Sequence, residues 1–248
     1  VVPSLPGYGF SSKPKQPGMT PRRIAALWVK LMGQLGYNSF ATQGGDWGAT
    51  VSTWLGLDFP DRVSAIHLNY IPGSYRPFLA ANAQLSEAEK QFQQDRDNWF
   101  QEEGGYGHIQ STKPNTVGFG LNDSPAGLAA WIVEKVRSWS DCDGDVEKRF
   151  SKDEILTNIQ IYWVTGTIYS SMRLYQEAKK MPVHFGSDQK VRVRCAVARF
   201  PKEAPMPPRD WVERGYNVER WTEMKVGAHF AAWEEPALLA GDLIEFLA

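Results

Sequence analysis

The 248-residue sequence has few cysteines, no excess of either charge and no long apolar run. Cys142 and Cys195 are its only cysteines, which argues against a disulfide framework and against a zinc site. A formal net charge of −1 gives no basic surface for nucleic acid or an anionic membrane. No apolar segment approaches the ~20 residues that span a bilayer, and no signal peptide opens the chain. These absences predict a globular, cytoplasmic protein with no nucleic-acid partner and no membrane segment.

Helix and strand signals alternate over the first 77 residues. Thr20 followed by Pro21 is typical of a helix start, apolar residues from Ile24 to Leu35 recur at helical spacing, and Gly36 is typical of a helix end. Further along, the pattern predicts a strand at 39–43, a helix at 49–59 and a strand at 63–71. Short links between alternating elements indicate a parallel sheet covered by helices.

A helical segment with few strand signals then interrupts this alternation, and strands return after it. The strands predicted there are 191–200 and 216–224, and the helices are 210–215 and 236–247. The sequence thus predicts an α/β fold with a mostly parallel sheet and an inserted helical lid. We divide it into core residues 1–77, lid residues 78–185 and core residues 186–248. Val1–Pro3 has the pattern of the end of a buried strand, so we also expect the first strands of the sheet to be absent.

The segment Gly44–Gly48, Gly-Gly-Asp-Trp-Gly, has the composition of a nucleophile elbow. A sharp strand-to-helix turn needs small residues around the reactive side chain, which then stands near a helix N-terminus. Asp46 occupies the reactive position, and a carboxylate there would attack sp³ carbon and form an ester. The backbone N–H of Trp47 would be one oxyanion donor when that ester is hydrolysed. The alternative is a glycine-rich turn in which Asp46 only caps a helix.

A base and an acid are predicted in the loops that follow the last two strands. His229, in Gly-Ala-His-Phe, follows the last strand, and Glu203 follows the strand before it. This order of nucleophile, acid and histidine is typical of the α/β hydrolases. Glu203 would hold the imidazole in the tautomer that takes a proton from water. Asp188 and Asp210 are alternative acids.

Several blocks along the chain resemble the microsomal-type epoxide hydrolases. They are Val2–Ser11, the elbow Gly44–Gly48, Tyr106–Gln110, Tyr162–Thr167, Ser170–Tyr175, Phe200–Glu203 and Gly227–Ala232. The resemblance implies an α/β-hydrolase fold, with Asp46 as nucleophile, Glu203 as acid and His229 as base. It also implies that Tyr106 and Tyr175, both in the lid, donate hydrogen bonds to the epoxide oxygen.

The reaction that the resemblance implies is the conversion of a small apolar epoxide and water into a vicinal diol, with no metal or organic cofactor. The family also carries a His-Gly-x-Pro loop with a second oxyanion donor, which this chain lacks. Among the lid aromatics, Trp163 and Phe119 are candidates for the substrate pocket, although packing within the lid explains them equally well.

Two other functions fit part of this pattern. A haloalkane dehalogenase shares the Asp-Trp-Gly elbow and the histidine, and Trp47 could then bind the halide. A non-catalytic binding protein on a hydrolase scaffold is the alternative from a different class. The oligomeric state stays open, with a homo-oligomer among the options.

Overall fold

The computed structural model describes residues 1–248, and four parallel strands form its sheet. Their order across the sheet is β1-β2-β3-β4, which is also their order in the chain. The strands are β1 (Phe40–Gly44), β2 (Val63–Leu68), β3 (Val191–Arg199) and β4 (Tyr216–Glu223). Since all strands run the same way, their carboxyl ends meet at one edge, where loops from all of them can form a site. The predicted parallel sheet is confirmed.

Five helices belong to the sheet layer. They are α1 (Pro21–Gln34), α2 (Asp46–Asp58), α9 (Arg209–Glu213), α10 (Ala231–Glu234) and α11 (Pro236–Leu247). The predicted start of α1 is confirmed, because the Thr20 side chain accepts a hydrogen bond from the Arg23 N–H at 3.2 Å. Gly36 follows the helix with φ +88°, a conformation in which glycine is favoured.

A buried polar network fixes α11 against the sheet. His67 of β2 has no exposed surface, and its Nε2 lies 2.9 Å from Asp242 Oδ2. Asp242 also accepts from the Arg220 guanidinium at 2.7 Å and from the Thr222 hydroxyl at 2.6 Å. The network explains why a histidine lies within a buried strand.

Six helices lie between β2 and β3, and together they form the lid. They are α3 (Glu87–Glu103), α4 (Gly105–Thr112), α5 (Pro114–Asp123), α6 (Pro125–Trp139), α7 (Lys152–Thr165) and α8 (Ile168–Lys179). The lid has an apolar core of its own, in which Leu128 and Met172 are completely buried. Where the chain enters and leaves the lid, Arg76 and His184 form an isolated parallel bridge. None of the helices in the molecule combines the length and the hydropathy needed to cross a membrane.

Hydrogen bonds join the lid to the sheet layer at several places. Arg214 donates to both carboxylate oxygens of Glu89 on α3, at 2.8 and 3.1 Å. On α8, Ser170 donates to the carbonyl of Gly7 at 2.6 Å, and Tyr8 donates to the carbonyl of Ser171 at 3.1 Å. These contacts fix α8 relative to the end of β1.

The structure differs from the sequence-based expectation at three places. Val1–Pro3 is not a strand; Val2 is fully exposed, and no neighbouring strand pairs with this segment. Helix α2 begins at Asp46 instead of residue 49, because the turn after β1 leads straight into the helix. Helix α10 was not predicted, since four residues are too few to show a periodic pattern.

Candidate active site

The turn between β1 and α2 brings the backbone unusually close to itself. Asp46, the first residue of α2, has φ +44°, a left-handed conformation that is rare for a residue other than glycine. A Cβ on Gly44 would lie 2.2 Å from the carbonyl oxygen of Gly48, and one on Gly45 would lie 2.7 Å from the Asn69 amide. The two glycines are therefore required by space, and the bend presents the Asp46 side chain, 56% exposed, at the carboxyl edge of the sheet.

His229 lies between two carboxylates. Its Nδ1 is 2.8 Å from Glu203 Oε1, and its Nε2 is 3.4 Å from Asp46 Oδ2. Glu203 stands in the loop after β3 and is 1% exposed, and His229 stands in the loop after β4. The structure thus brings together the three residues that the sequence pattern singled out. Asp188 and Asp210, the alternative acids, are exposed and make no contact with His229.

The charges around His229 decide its protonation. Burial lowers the pKa of the imidazole, but the carboxylates of Glu203 and Asp46 more than offset this effect and raise it from 6.5 to about 10. This pKa favours the protonated imidazole, paired with Asp46, at neutral pH. Loss of either negative charge would lower the pKa and favour the neutral form that can act as a base.

Two lid phenols face Asp46 across a cavity of about 590 Å³. Tyr106 comes from α4 and Tyr175 from α8, and their rings meet edge to face at 5.8 Å. Burial, followed by the Asp46 charge, raises the pKa of Tyr106, and burial is also the main cause of the raised pKa of Tyr175. Both hydroxyls stay protonated at neutral pH and can donate hydrogen bonds.

The cavity wall between Asp46 and the lid is largely aromatic. Its large side chains are Trp47, Tyr70, Trp99, Phe100, Tyr106 and Tyr175. Trp163 and Phe119, which we expected in the substrate pocket, do not line it. Phe119 packs on Tyr169 and is 69% exposed, and Trp163 is 37% exposed. Helical periodicity alone cannot tell which side of a lid helix faces the core, which is why this expectation is wrong.

Three aromatic residues of the wall were missed in the sequence. Tyr70 follows β2 at the carboxyl edge of the sheet, and its ring meets that of His229 at 5.9 Å. Its position near the carboxyl end of the strand predicted at 63–71 was a usable signal. Trp99 and Phe100, at the end of α3, carried no signal, because a polar helix with two aromatics has many possible orientations.

The chain is similar to several known proteins in sequence and in fold. Residues 1–155 match the alpha/beta hydrolase fold family. Epoxide hydrolase 1 of Sus scrofa is 39% identical over 268 residues, covering 100% of this chain and 59% of that protein. Juvenile hormone epoxide hydrolase from the silkworm Bombyx mori has a crystal structure with a TM-score of 0.80 at 34% identity, covering 98% of this chain and 58% of that one. The structure of the Aspergillus niger epoxide hydrolase has a TM-score of 0.84 at 31% identity, covering 98% of this chain and 61% of that one.

These similarities confirm the resemblance to epoxide hydrolases that the sequence blocks indicated. The chain spans 59% of the length of the Sus scrofa protein and 58% and 61% of the two solved structures above.

The first prediction concerns the bend. Gly44→Ala should lower the free energy of unfolding by about 3 kcal/mol, because the new Cβ meets the backbone of α2 and cannot be relieved by a rotamer change. Gly48→Ala is the matched control, since nothing lies within 4 Å of its added Cβ. It should raise the free energy of unfolding by roughly 0.5–1 kcal/mol, because alanine favours a helix more than glycine does. Urea unfolding of both variants measures the difference, and equal stabilities would contradict the close approach.

The second prediction concerns the charge on His229. In Asp46→Asn the pKa of His229 should fall below its value of about 10, because the charge and hydrogen bond of Asp46 both raise it. NMR titration of isotope-labelled histidine measures this, with buried His67 as an internal control whose pKa should not change. An unchanged pKa for His229 would show that Asp46 does not control its protonation.

The raised pKa of His229 also predicts how the free energy of unfolding changes with pH. Because the folded pKa lies above 6.5, the stabilisation from His229 is fully present below pH 6.5 and is lost as the pH rises through about 10. Relative to His229→Gln, the unchanged protein should therefore lose unfolding free energy across this range. A flat difference between the two proteins would contradict the assignment.

Proposed function

Because the chain belongs to the α/β-hydrolase fold family, we propose that it is the catalytic part of an epoxide hydrolase that forms a vicinal diol from an epoxide and water. The observation that carries the proposal is the placement of Asp46 opposite Tyr106 and Tyr175 in one cavity, with His229 3.4 Å behind the carboxylate. A carboxylate, two phenols and an imidazole match the needs of epoxide opening followed by ester hydrolysis.

In the first step, Asp46 attacks one epoxide carbon and the bond from that carbon to the ring oxygen breaks. Tyr106 and Tyr175 donate hydrogen bonds to the departing oxygen; one of the two phenols gives it a proton, so that it becomes a hydroxyl group, and the phenol regains a proton from solvent. Both phenols are protonated at neutral pH before the substrate arrives, and burial raises their pKa further. The product of this step is a hydroxyalkyl ester on Asp46.

In the second step, His229 first releases its proton to solvent and then accepts a proton from a water that attacks the ester carbonyl of Asp46. The ester C–O bond of the tetrahedral adduct breaks, the diol oxygen takes the proton from His229, and the carboxyl proton of Asp46 returns to the imidazole, which regenerates the carboxylate. Esterification has removed the Asp46 charge, so the imidazole loses one of the two carboxylates that held it protonated. Glu203 keeps the ring oriented through its 2.8 Å contact with Nδ1. The N–H of Trp47, in the first turn of α2 where a helix leaves N–H groups without partners, supports the oxyanion.

One observation also supports a haloalkane dehalogenase as a second candidate. The indole Nε1 of Trp47, next to Asp46 on the cavity wall, is buried and has no hydrogen-bond partner, and a halide could accept from it. That reaction has no need of the two phenols opposite Asp46. Turnover of styrene oxide compared with that of a bromoalkane of similar size distinguishes the two functions.

The third prediction tests the covalent intermediate. His229→Gln should form the ester and fail to hydrolyse it, so that intact-protein mass spectrometry shows the mass of one epoxide added to the chain. Asp46→Asn should show no addition. In ¹⁸O-labelled water, a single turnover of the unchanged protein should put label into the Asp46 carboxylate and not into the diol. Normal turnover by His229→Gln, or label in the diol, would contradict the mechanism.

The fourth prediction tests the phenols. Tyr106→Phe and Tyr175→Phe should each slow ester formation by roughly 10- to 100-fold, and the double variant more, because the departing oxygen loses its donors. Tyr169→Phe is the matched control, a lid tyrosine that packs on Phe119 and lies outside the cavity wall. Stopped-flow quenching of tryptophan fluorescence measures the step. If Tyr169→Phe slows it equally, the effect comes from lid packing.

A further inference from the structure

The end of lid helix α6 lies against the loops that carry the acid and the base. We call this stretch, Trp139–Asp143, the lid clamp. The carbonyl of Trp139 accepts from the backbone N–H of His229 at 3.1 Å, and its indole ring meets the imidazole edge to face at 5.4 Å. The Trp139 indole is itself fixed, because its Nε1 donates to Glu103 at 3.0 Å.

Asp141, in the middle of the lid clamp, bridges the two catalytic loops. One carboxylate oxygen lies 2.5 Å from the ammonium of Lys202, the residue before Glu203. The other accepts from the backbone N–H of Gly227 at 3.0 Å, two residues before His229. Lys202 also donates its own N–H to the carbonyl of Gly227 at 3.2 Å. A single side chain of the lid thus holds the backbones beside the acid and the base at a fixed separation.

Neighbouring groups keep Asp141 in place. Its N–H donates to Glu234 at 2.7 Å, and the other oxygen of Glu234 accepts from the N–H of Phe230. The other charges near this cluster are those of Asp143, 2.9 Å from Lys202, and of Lys148, which acts on Asp143. Arg149 lies 3.9 Å from Glu234 and also pairs with Glu235. The hydrogen bond from Lys202, followed by that from Gly227, lowers the pKa of Asp141. The carboxylate is therefore ionised at neutral pH.

We propose that Asp141 is a positioning residue for ester hydrolysis, which sets the Glu203–His229 contact by tying the loop of the acid to the loop of the base. The proposal rests on the proposed function, because it assigns Asp141 to the second step of that reaction. Asp141 contacts neither the cavity wall nor the elbow. Its loss should therefore leave the attack of Asp46 on the epoxide unchanged and slow the attack of water on the ester.

The test separates the two steps in Asp141→Ala. Mixing with excess styrene oxide, quenching at set times and intact-mass analysis give the rates at which the ester forms and disappears. We expect ester formation at the unchanged rate and ester hydrolysis slowed about tenfold or more, since small misplacements of a base are costly. The ester should accumulate. Asp123→Ala removes the same charge from the exposed end of α5 and should leave both rates unchanged.

Two further measurements exclude a general loosening of the lid. Asp141→Asn keeps an acceptor for the Gly227 N–H, so its rate of ester hydrolysis should be higher than that of Asp141→Ala. Lys202→Met removes the ion pair with Asp141 and should also slow ester hydrolysis. The acid limb of the hydrolysis rate against pH should move to lower pH in Asp141→Ala, because a looser Glu203 raises the pKa of His229 less.

The outcomes are distinguishable. If the unchanged protein forms no ester, the proposed function fails before Asp141 is tested. If it forms the ester and Asp141→Ala hydrolyses it at the unchanged rate, the positioning role is overturned. The role is also overturned if Asp141→Ala and Lys202→Met slow both steps equally and the pH profile does not move, because that result indicates a structural contact alone.

Discussion

The close approach of backbone at the end of β1 is the constraint on which the rest of the site depends. Asp46 holds a left-handed conformation that costs of order 1–3 kcal/mol, and it persists because Gly44 lies against the carbonyl of Gly48 with no room for a side chain. The bend makes Asp46 the first residue of a helix, where its negative charge is favoured. It also directs the carboxylate to the edge where the loops after β3 and β4 begin, so that His229 lies 3.4 Å from Asp46, with Glu203 on the other side of its ring.

The sheet layer alone supplies a carboxylate and an imidazole, but not the phenols that the proposed first step requires. Tyr106 and Tyr175 come from two different lid helices, so the cavity exists only where lid and sheet meet. The lid is attached close to the chemistry at two places. Ser170 holds α8, which carries Tyr175, to the turn at Gly7, and the lid clamp holds the two catalytic loops. In this arrangement a movement of the lid would displace His229 as well as the two phenols that donate to the epoxide oxygen.

Sequence reasoning succeeded where a local rule has one physical solution. The start of α1 follows from a threonine cap before proline, and the elbow follows from glycines around one reactive residue. It failed where the answer depends on how helices pack. Phe119 and Trp163 point away from the cavity, and the contact between Asp141 and Lys202 joins residues 61 positions apart that no local pattern relates. Strand ends were predictable to within a few residues, and Tyr70 could have been found by following β2 to the carboxyl edge.

The order of the proposed steps is set by charge. Before the substrate reacts, His229 lies between the carboxylates of Glu203 and Asp46, and both raise the pKa of the imidazole, which favours its protonated form. Formation of the ester neutralises Asp46 and removes one of these two effects. The imidazole then becomes a stronger candidate to lose its proton and activate water at the moment when an ester is present, so the 3.4 Å contact between Asp46 and His229 couples the second step to completion of the first.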